Sequence, residues 1–470
     1  MSGEVDRDRL DPRTRRLLEA PILPTLLRLG APNVLIMLAQ AAVGLIETFF
    51  VGKLGTDALA GMALVFPTVM LMQTISAGAF GGAIASVIAR ALGGGRRDEA
   101  DVLVLHALVI AAALGLVFMG VALGGGRWLY MRMGGTQGAL TAALTYSNLV
   151  FAGAVLVWIF NSLSAIIRGT GNMTVPAIVS CAGSVVLIPL SPLLIFGWGP
   201  VPALGIAGGA AALLAYYLLG SIALAVYLWS PRSLLRPAIS KLRFGWAQFR
   251  EILRLGAVGS LSAAATNVTI AIATAQVGEF GTAAIAGYGT AARLEYLLIP
   301  LVFGLGSPLV AIVGTSIGAG MRERALHATW VGAAIAFLMT EFIGLTAALW
   351  PKAWLSLFAS DPGMQQAGTY YLHAVGPLYG FFGVGLVLYF ASQGAGRLSW
   401  PVAGNLARLG VAALGGAAAL RWGYGLTQIF LAQGIALVIY ALINVVAVAG
   451  GAWFGAVRWP RYNTLLASRS

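Results

Sequence analysis

The sequence predicts an all-α integral membrane protein with twelve transmembrane helices in two pseudo-symmetric six-helix lobes. The first observation is composition: 59% of the 470 residues are hydrophobic and 10% are charged, whereas about a quarter of a soluble chain is charged. The second is a series of apolar runs long enough to cross a bilayer, and the third is an internal repeat. Together they exclude a cytosolic enzyme, a disordered chain and a disulfide scaffold.

Twelve apolar runs divide the chain, each near the roughly 20 residues that a helix needs to cross a bilayer. Those of the first half lie at 26–50, 59–84, 102–125, 140–164, 174–197 and 203–229. Those of the second half lie at 252–277, 286–314, 326–350, 368–392, 401–420 and 425–453. The runs are continuous and do not alternate with a period of two, which excludes a β-barrel. The charged N-terminal segment lacks the apolar core of a signal peptide.

The second half of the chain repeats the first at an offset of 225 or 226 residues. Three motifs return in the same order: Leu27-Arg28-Leu29-Gly30 as Leu253-Arg254-Leu255-Gly256, Gly93-Gly94-Gly95 as Gly318-Ala319-Gly320, and Arg168-Gly169-Thr170-Gly171 as Gln393-Gly394-Ala395-Gly396. Six spans per half is an even number, so both halves enter the membrane from the same side. The repeat is therefore parallel, about an axis along the membrane normal.

Basic residues in the connections indicate orientation. They are frequent in alternate connections, above all in 230–251, and sparse in the others, which hold only Lys53, Arg127, Arg132, Lys352 and Arg421. The positive-inside rule places the rich set, and with it both termini, in the cytoplasm. The net charge of +13 is thus explained by topology, and no nucleic-acid partner is expected. The predicted order is a cytoplasmic tail (1–25), an N-terminal lobe (26–229), a basic linker (230–251), a C-terminal lobe (252–453) and a cytoplasmic tail (454–470).

Several motifs resemble one known family. They are Glu47-Thr48-Phe49-Phe50-Val51-Gly52-Lys53-Leu54-Gly55, Arg168-Gly169-Thr170-Gly171 with Pro176, Gln393-Gly394-Ala395-Gly396 with Pro401, and Gly314-Thr315-Ser316-Ile317-Gly318-Ala319-Gly320. By these the chain resembles the multidrug and toxic compound extrusion (MATE) transporters. The resemblance implies two lobes in a V shape and export of drug-like small organic molecules in exchange for protons or sodium ions. It also implies a multi-pass protein of the bacterial inner membrane, which we expect to be a monomer without a cofactor or metal.

Of the sixteen acidic residues, only Glu47, Glu295 and Glu341 fall clearly within apolar runs. A charge inside the bilayer costs several kcal/mol, so such an acid is a functional hypothesis by default. Glu47 lies near the outer end of the first span and is our candidate for the proton-coupling acid; a carboxylate reaching to the interface is the alternative. It also matches the position where the resemblance implies a cation-binding acid, usually Asp. The equivalent position in the second repeat is Ala273, so the coupling site belongs to the first lobe.

Polar groups of the first lobe could support this acid. We assign Asn33, Gln40 and Asn161 to the coupling site, and Pro32 to a kink that gates it; hydrogen bonding between helices and an ordinary membrane-helix proline are the alternatives. The chain departs from the family where relatives carry an Asp in the fifth span, since Ser191 stands there when Pro192 is aligned.

The second acid that some relatives carry in the seventh span is replaced by Thr266 and Asn267. A sodium site needs several oxygen ligands and a fixed charge, so a single acid favours protons.

The substrate cleft is expected to include Glu295, Arg293, Gln73 and Tyr288. Arg293 and Glu295 are two residues apart on one helix and do not face each other, so a lock between helices and recognition of cations both remain open. Aromatic rings such as that of Tyr288 are suited to lipophilic cations. Glu341 and His373 are further candidates, with structural pairing as the alternative for each.

Two other classes of function stay open. A lipid or lipid-linked-substrate flippase would need an arginine-lined cavity, for which Arg293 is the main candidate in the spans. A duplicated scaffold or a channel would use the same helices without a transport cycle. An enzyme is disfavoured because the spans lack paired carboxylates, a metal-ligand set or a nucleophile with its base. A primary pump is disfavoured because no phosphate-binding loop motif occurs in the sequence.

Overall fold

The computed structural model describes residues 10–135, 137–238, 245–358 and 361–454, without the side chains of 40–42 and 296. The described residues are almost entirely helical. The helices of the first half are α1 Pro12–Glu19, α2 Ile22–Gly52, α3 Thr56–Gln73, α4 Gly81–Gly93, α5 Arg97–Arg132, α6 Gln137–Ala152, α7 Ala154–Gly169, α8 Thr174–Phe196 and α9 Ile206–Leu228. Those of the second half are α10 Trp246–Gly278, α11 Thr282–Gly318, α12 Arg322–Leu349, α13 Pro351–Leu355, α14 Pro362–Val375, α15 Tyr379–Gly394, α16 Ser399–Arg421 and α17 Leu426–Ala449.

The twelve predicted spans correspond one to one with these helices. Eleven continuous helical runs of the described chain are long and apolar enough to cross a membrane, and the pair α6 and α7, bent by 50° at Gly153, supplies the twelfth. The second span joins α3 to α4, and the tenth joins α14 to α15 through a short 3-10 turn. The predicted all-α fold with twelve spans is therefore confirmed.

A π-helical segment interrupts the second span at Thr74–Phe80, between α3 and α4. Such segments are uncommon inside α-helices and often occur at functional sites, because the extra residue per turn changes where the neighbouring side chains point. Here the segment carries Ser76, which is fully buried, and directly follows Gln73. Both residues contribute to the polar network described below.

The repeated glycine motifs form matching helix ends. Gly95 and Gly320, which are 225 residues apart, have φ angles of +72° and +73°. Each lies beside a backbone hydrogen bond that closes the preceding helix, from the Arg96 N–H to the Ala91 carbonyl at 2.9 Å and from Met321 to Ser316 at 2.8 Å. Only glycine adopts this left-handed backbone without strain. The sequence repeat is thus reproduced in the geometry of the turns.

Two compact units divide the chain. Unit 1 comprises Met1–Ser260 and Phe303–Ala325, and unit 2 comprises Leu261–Val302 and Leu326–Ser470. Unit 1 therefore includes the second part of α11 together with the helices of the first half. Helices approach closely in unit 1 through glycine, as where Gly30 faces the Gly304 carbonyl, which is the usual role of small residues between membrane helices. The lobe boundaries proposed from the sequence stay a prediction.

The short helix α1 packs onto unit 1. Asp11 caps its start by accepting the Arg13 N–H at 2.8 Å, and Pro12 occupies the first position, a combination that favours helix initiation. Leu17 and Leu18 are buried. The far end is held by Arg324, whose guanidinium donates to the carbonyls of Leu17 at 2.8 Å and Ala20 at 2.6 Å.

Candidate functional site

Glu47 lies on α2 with only 6% of its surface exposed. Its Oε1 atom accepts a hydrogen bond from the Tyr146 hydroxyl of α6 at 2.9 Å. Helix α9 passes close to this carboxylate at Gly209, which has no side chain. An added Cβ atom there would lie 3.4 Å from Glu47 Oε1. The acid is thus enclosed by helices, with a phenol as its hydrogen-bond donor. A carboxylate enclosed in this way has lost most of its water, so the remaining hydrogen-bond donor matters for the stability of its charge.

A small cavity beside Glu47 is almost wholly apolar. Its walls come from α2 and α8: Val43, Ile46, Glu47, Leu187, Ile188 and Ser191. Ser191 is buried, and its hydroxyl has no hydrogen-bond partner among the described residues. The structure therefore brings the position aligned with the relatives' Asp to the same cavity as Glu47. A serine there adds an oxygen to the site but no second charge.

A second polar cluster lies nearby in unit 1. The Asn161 amide of α7 donates to Gln73 Oε1 at 3.0 Å and to Ser76 Oγ at 2.8 Å. Gln73 in turn donates to the hydroxyl of Tyr217 on α9. Asn161 and Gln73 therefore meet each other, and their cluster extends to Tyr217 on α9, the helix that also approaches Glu47 at Gly209.

The remaining residues assigned to the coupling site are placed differently. Asn33 is buried, and neither atom of its amide has a hydrogen-bond partner among the described residues. It precedes Glu47 by fourteen positions on α2, which is about 21 Å along a helix, so the two side chains do not meet. Pro32 lies inside α2, whose helical run continues past it. Gln40 lies on the same helix, but its side chain is outside the described residues.

Unit 2 encloses the larger of the two cavities described here, with an empty volume of about 350 Å³ that includes its opening. Five helices line it through Thr269, Ile270, Ala273, Tyr288, Glu295, Tyr371, Val375, Arg408, Ala412, Gln433, Ala436 and Leu437. Two of the residues assigned to the substrate cleft, Tyr288 and Glu295, are thus brought together. Ala273, the repeat counterpart of Glu47, lies in the same wall.

Two aromatic residues of this lining, Tyr288 and Tyr371, pack against each other. Their rings meet edge to face at 5.3 Å, and Phe430, which is not part of the lining, lies 6.0 Å from Tyr288 and 5.2 Å from Tyr371. The Tyr371 hydroxyl donates to Glu295 Oε1. As with Glu47 and Tyr146, an intramembrane carboxylate is held by a tyrosine from another helix.

Arg408 is the residue of this cavity that the sequence reasoning missed. It lies near the middle of α16 and is 8% exposed. Among arginines within the spans only Arg293 was a candidate from the sequence, whereas Arg408 was not. A usable signal existed, because an arginine ten positions into a 23-residue apolar helix is as costly as a buried acid.

Four other candidates are not among the residues that line this cavity: Arg293, Gln73, Glu341 and His373. Arg293 is exposed, and its guanidinium carbon is 5.4 Å from the Phe358 ring centroid. Glu341 is half-buried and accepts the Gly380 N–H at 2.7 Å, while His373 is exposed. The functional roles given to the candidate residues stay predictions.

The MatE family model matches residues 32–193 and 260–417 of the chain. One relative is the "FAD transporter" of Shewanella oneidensis, 28% identical over 404 residues that cover 84% of this chain and 87% of that protein. Another is the "Probable multidrug resistance protein NorM" of Deinococcus radiodurans, 29% identical over 387 residues, with 76% and 80% covered.

Solved structures share the fold. A MOP superfamily transporter from Pyrococcus furiosus, described as having a binding pocket of reverse polarity, superimposes with a TM-score of 0.85 at 22% identity and covers 93% of this chain and 96% of its own. A MATE structure in the bent conformation superimposes with a TM-score of 0.84 at 22% identity, with 93% and 96% covered. At this identity the likeness concerns the fold alone.

Proposed function

The chain belongs to the MatE family of membrane transporters, and on that premise we propose that it is a secondary active exporter that exchanges small organic molecules for protons. The observation that carries the proposal is Glu47, enclosed by helices of unit 1 and hydrogen-bonded to Tyr146. The proposed setting is a bacterial inner membrane, with both termini in the cytoplasm.

Proton coupling follows from the chemistry of this acid. The apolar cavity beside Glu47 favours the neutral carboxyl group, while the Tyr146 hydroxyl stabilises the carboxylate. Small changes in the water around the site therefore shift the balance between the two forms. Glu47 takes up a proton when the site is open to the outside and releases it when the site is open to the cytoplasm. Such a cycle couples the proton gradient to the movement of substrate.

The ligands near Glu47 support protons over sodium ions. Sodium coordination requires several oxygen atoms around a fixed negative charge, whereas a proton needs one titratable group. The described cavity offers one carboxylate and the Ser191 hydroxyl. The neighbouring amides of Asn161 and Gln73 are engaged with each other, Ser76 and Tyr217.

The test uses purified full-length protein in proteoliposomes loaded with rhodamine 123. We expect an imposed pH gradient to drive efflux without sodium, and Glu47→Gln to abolish it. Glu341→Gln, which changes an intramembrane acid of unit 2, is the matched control and should retain coupling through Glu47. Efflux driven by a sodium gradient at clamped pH, or unimpaired efflux in Glu47→Gln, would contradict proton coupling at this residue.

A flavin nucleotide is a second candidate substrate, which we propose on the basis of the Shewanella oneidensis relative named "FAD transporter". The buried cation Arg408 in the cavity of unit 2 is compatible with an anionic molecule. Efflux of FAD from the same proteoliposomes, compared with efflux of rhodamine 123, distinguishes the two candidates. A lipid flippase, the other alternative, would instead move a fluorescent phospholipid between leaflets.

A further inference from the structure

We propose that Arg408 and Gln433 bind the carboxylate or phosphate group of the transported molecule in the cavity of unit 2. The inference rests on the proposed transport function and specifies which chemical group of the substrate is recognised. Arg408 and Gln433 belong to unit 2, whereas the proposed proton-coupling acid Glu47 belongs to unit 1.

Arg408 lies in this cavity without an anionic partner among the described residues. Its side chain is 8% exposed and lines the cavity. Within the described residues it forms no ion pair or hydrogen bond; its guanidinium carbon lies 5.9 Å from the Phe382 ring centroid, and Tyr440 also interacts with it electrostatically. A buried guanidinium carries five N–H donors, and a buried charge without a partner is strongly unfavourable. Such a group is therefore suited to a partner that enters during the transport cycle.

Gln433 on the neighbouring helix α17 supplies a second donor. Its Nε2 atom is buried, lacks a hydrogen-bond partner among the described residues, and belongs to a residue lining the same cavity. The Gln433 Nε2 group and the guanidinium are both donors and cannot pair with each other, and no hydrogen bond from Arg408 to the Gln433 amide oxygen is formed among the described residues. An oxyanion such as a carboxylate or a phosphate accepts from both, and charge-assisted hydrogen bonds of this kind are the stronger ones.

Glu295 does not neutralise Arg408. Both line the cavity, yet no ion pair joins them among the described residues, and Glu295 Oε1 accepts from Tyr371 instead. Tyr288 and Tyr371 add aromatic rings to the same lining. The chemistry of this lining therefore matches an aromatic compound that has one acidic group directed to Arg408.

A matched pair of dyes tests the proposal. Rhodamine 110 has a free carboxyl group, and rhodamine 123 is its methyl ester, so the two differ only at the group in question. Binding to purified full-length protein in a neutral detergent is followed by fluorescence polarisation without any gradient. We expect the wild type to bind the acid about tenfold more tightly than the ester, because one charge-assisted hydrogen bond contributes roughly that difference in affinity. Arg408→Gln should bring this ratio to one or below while leaving binding of the ester within twofold.

Two further variants control for folding. Arg293→Gln removes an exposed arginine of the same unit and should keep the wild-type ratio. Arg408→Lys keeps the charge but loses the planar fork of donors, and should give an intermediate ratio. The absence of a preference in the wild type, or a preference that survives in Arg408→Gln, overturns the proposal.

The source of the acidic group is resolved by lipid competition. Phosphatidylglycerol and phosphatidylcholine are added to separate samples with the acid bound. If phosphatidylglycerol alone displaces it, the occupant is a lipid phosphate and the assignment to a soluble substrate is overturned; displacement by neither supports the assignment. Because binding is measured without a gradient, a failure of proton-driven efflux leaves this ratio intact, so the two proposals can fail separately.

Discussion

Gly93 of α4 lies directly against the backbone of Thr315 in α11, where an added Cβ atom would be 2.8 Å from the Thr315 Cα. The same contact occurs in the other repeat, since a Cβ atom on Gly318 would lie 2.9 Å from the Cα of Arg90. In the repeat register Gly318 is the counterpart of Gly93, and Thr315 is the counterpart of Arg90, each 225 residues further along the chain. Helices α4 and α11 therefore cross at two equivalent glycines, Gly93 and Gly318.

Substituting either glycine should destabilise unit 1. In Gly93→Ala and Gly318→Ala the new methyl group overlaps the opposing backbone, and overpacking of this kind costs roughly 1–3 kcal/mol. We expect similar losses for both variants because the contacts are equivalent. Gly120→Ala is the control, since nothing lies within 4 Å of its added Cβ, and it should be neutral. Thermal unfolding in detergent measures the effect, and an unchanged unfolding temperature in Gly93→Ala would exclude the crossing as a constraint.

Removing the hydroxyl of Tyr146 should slow the proposed coupling. Tyr146→Phe keeps the buried ring but removes the donor 2.9 Å from Glu47 Oε1, so the charged carboxylate loses its stabilising partner. Release of the proton becomes harder, and we expect pH-driven efflux to fall several-fold, most at acidic internal pH. Efflux against internal pH is the measurement. Thr145→Val, at an exposed neighbouring position, serves as the control, and equal profiles for wild type and Tyr146→Phe would rule out this role.

A second acid beside Glu47 should change the ion requirement. Ser191→Asp places a carboxylate in the same small cavity, where two close acids share one proton or hold a cation between them. We expect efflux of this variant to become stimulated by sodium, because the site then offers two carboxylates. Ser191→Asn is the isosteric neutral control and should keep sodium-independent efflux. If Ser191→Asp is active and indifferent to sodium, the view that charge selects the coupling ion is wrong.

Neutralising Glu295 should weaken binding of cationic substrates. Glu295→Gln retains the size of the side chain that meets Tyr371 but removes the only carboxylate among the residues that line the described cavity of unit 2. We expect the affinity for rhodamine 123, which is a cation, to fall about tenfold. Glu341→Gln, at a position outside this lining, should not change it. Fluorescence polarisation provides the measurement, and equal losses in both variants would indicate a general electrostatic effect.

The attachment of α1 depends on one arginine. Arg324→Gln removes the guanidinium that donates to the Leu17 and Ala20 carbonyls, and hydrogen bonds from a charged donor contribute roughly 1.5–3 kcal/mol. We expect faster hydrogen exchange in α1. Glu19→Gln breaks the exposed pair with Arg15, at 49% and 41% side-chain exposure, and should have little effect. If Arg324→Gln leaves hydrogen exchange in α1 unchanged, burial of Leu17 and Leu18 is sufficient to hold the helix in place.

The candidate site could be predicted only in part. Glu47 and Glu295 could be identified from the sequence because a charged side chain within an apolar run costs free energy whichever neighbour it faces. Tyr146 and Tyr371, the tyrosines that hold them, were not assigned to these contacts, because they lie 99 and 76 residues away. Asn161 and Gln73 were singled out as polar residues, but that they meet each other depends on how α7 packs beside the π-helical segment.

The sequence by itself determined the twelve spans, the repeat and the matching turns of Gly95 and Gly320. Each follows from local requirements: a helix must satisfy its own backbone in lipid, and a left-handed turn must have glycine. Only the tertiary structure decided that Arg408 shares a cavity with Glu295 and that Ser191 shares one with Glu47. The reason is that such meetings depend on the rotation and packing of helices distant in sequence, which the apolar character of a span does not specify.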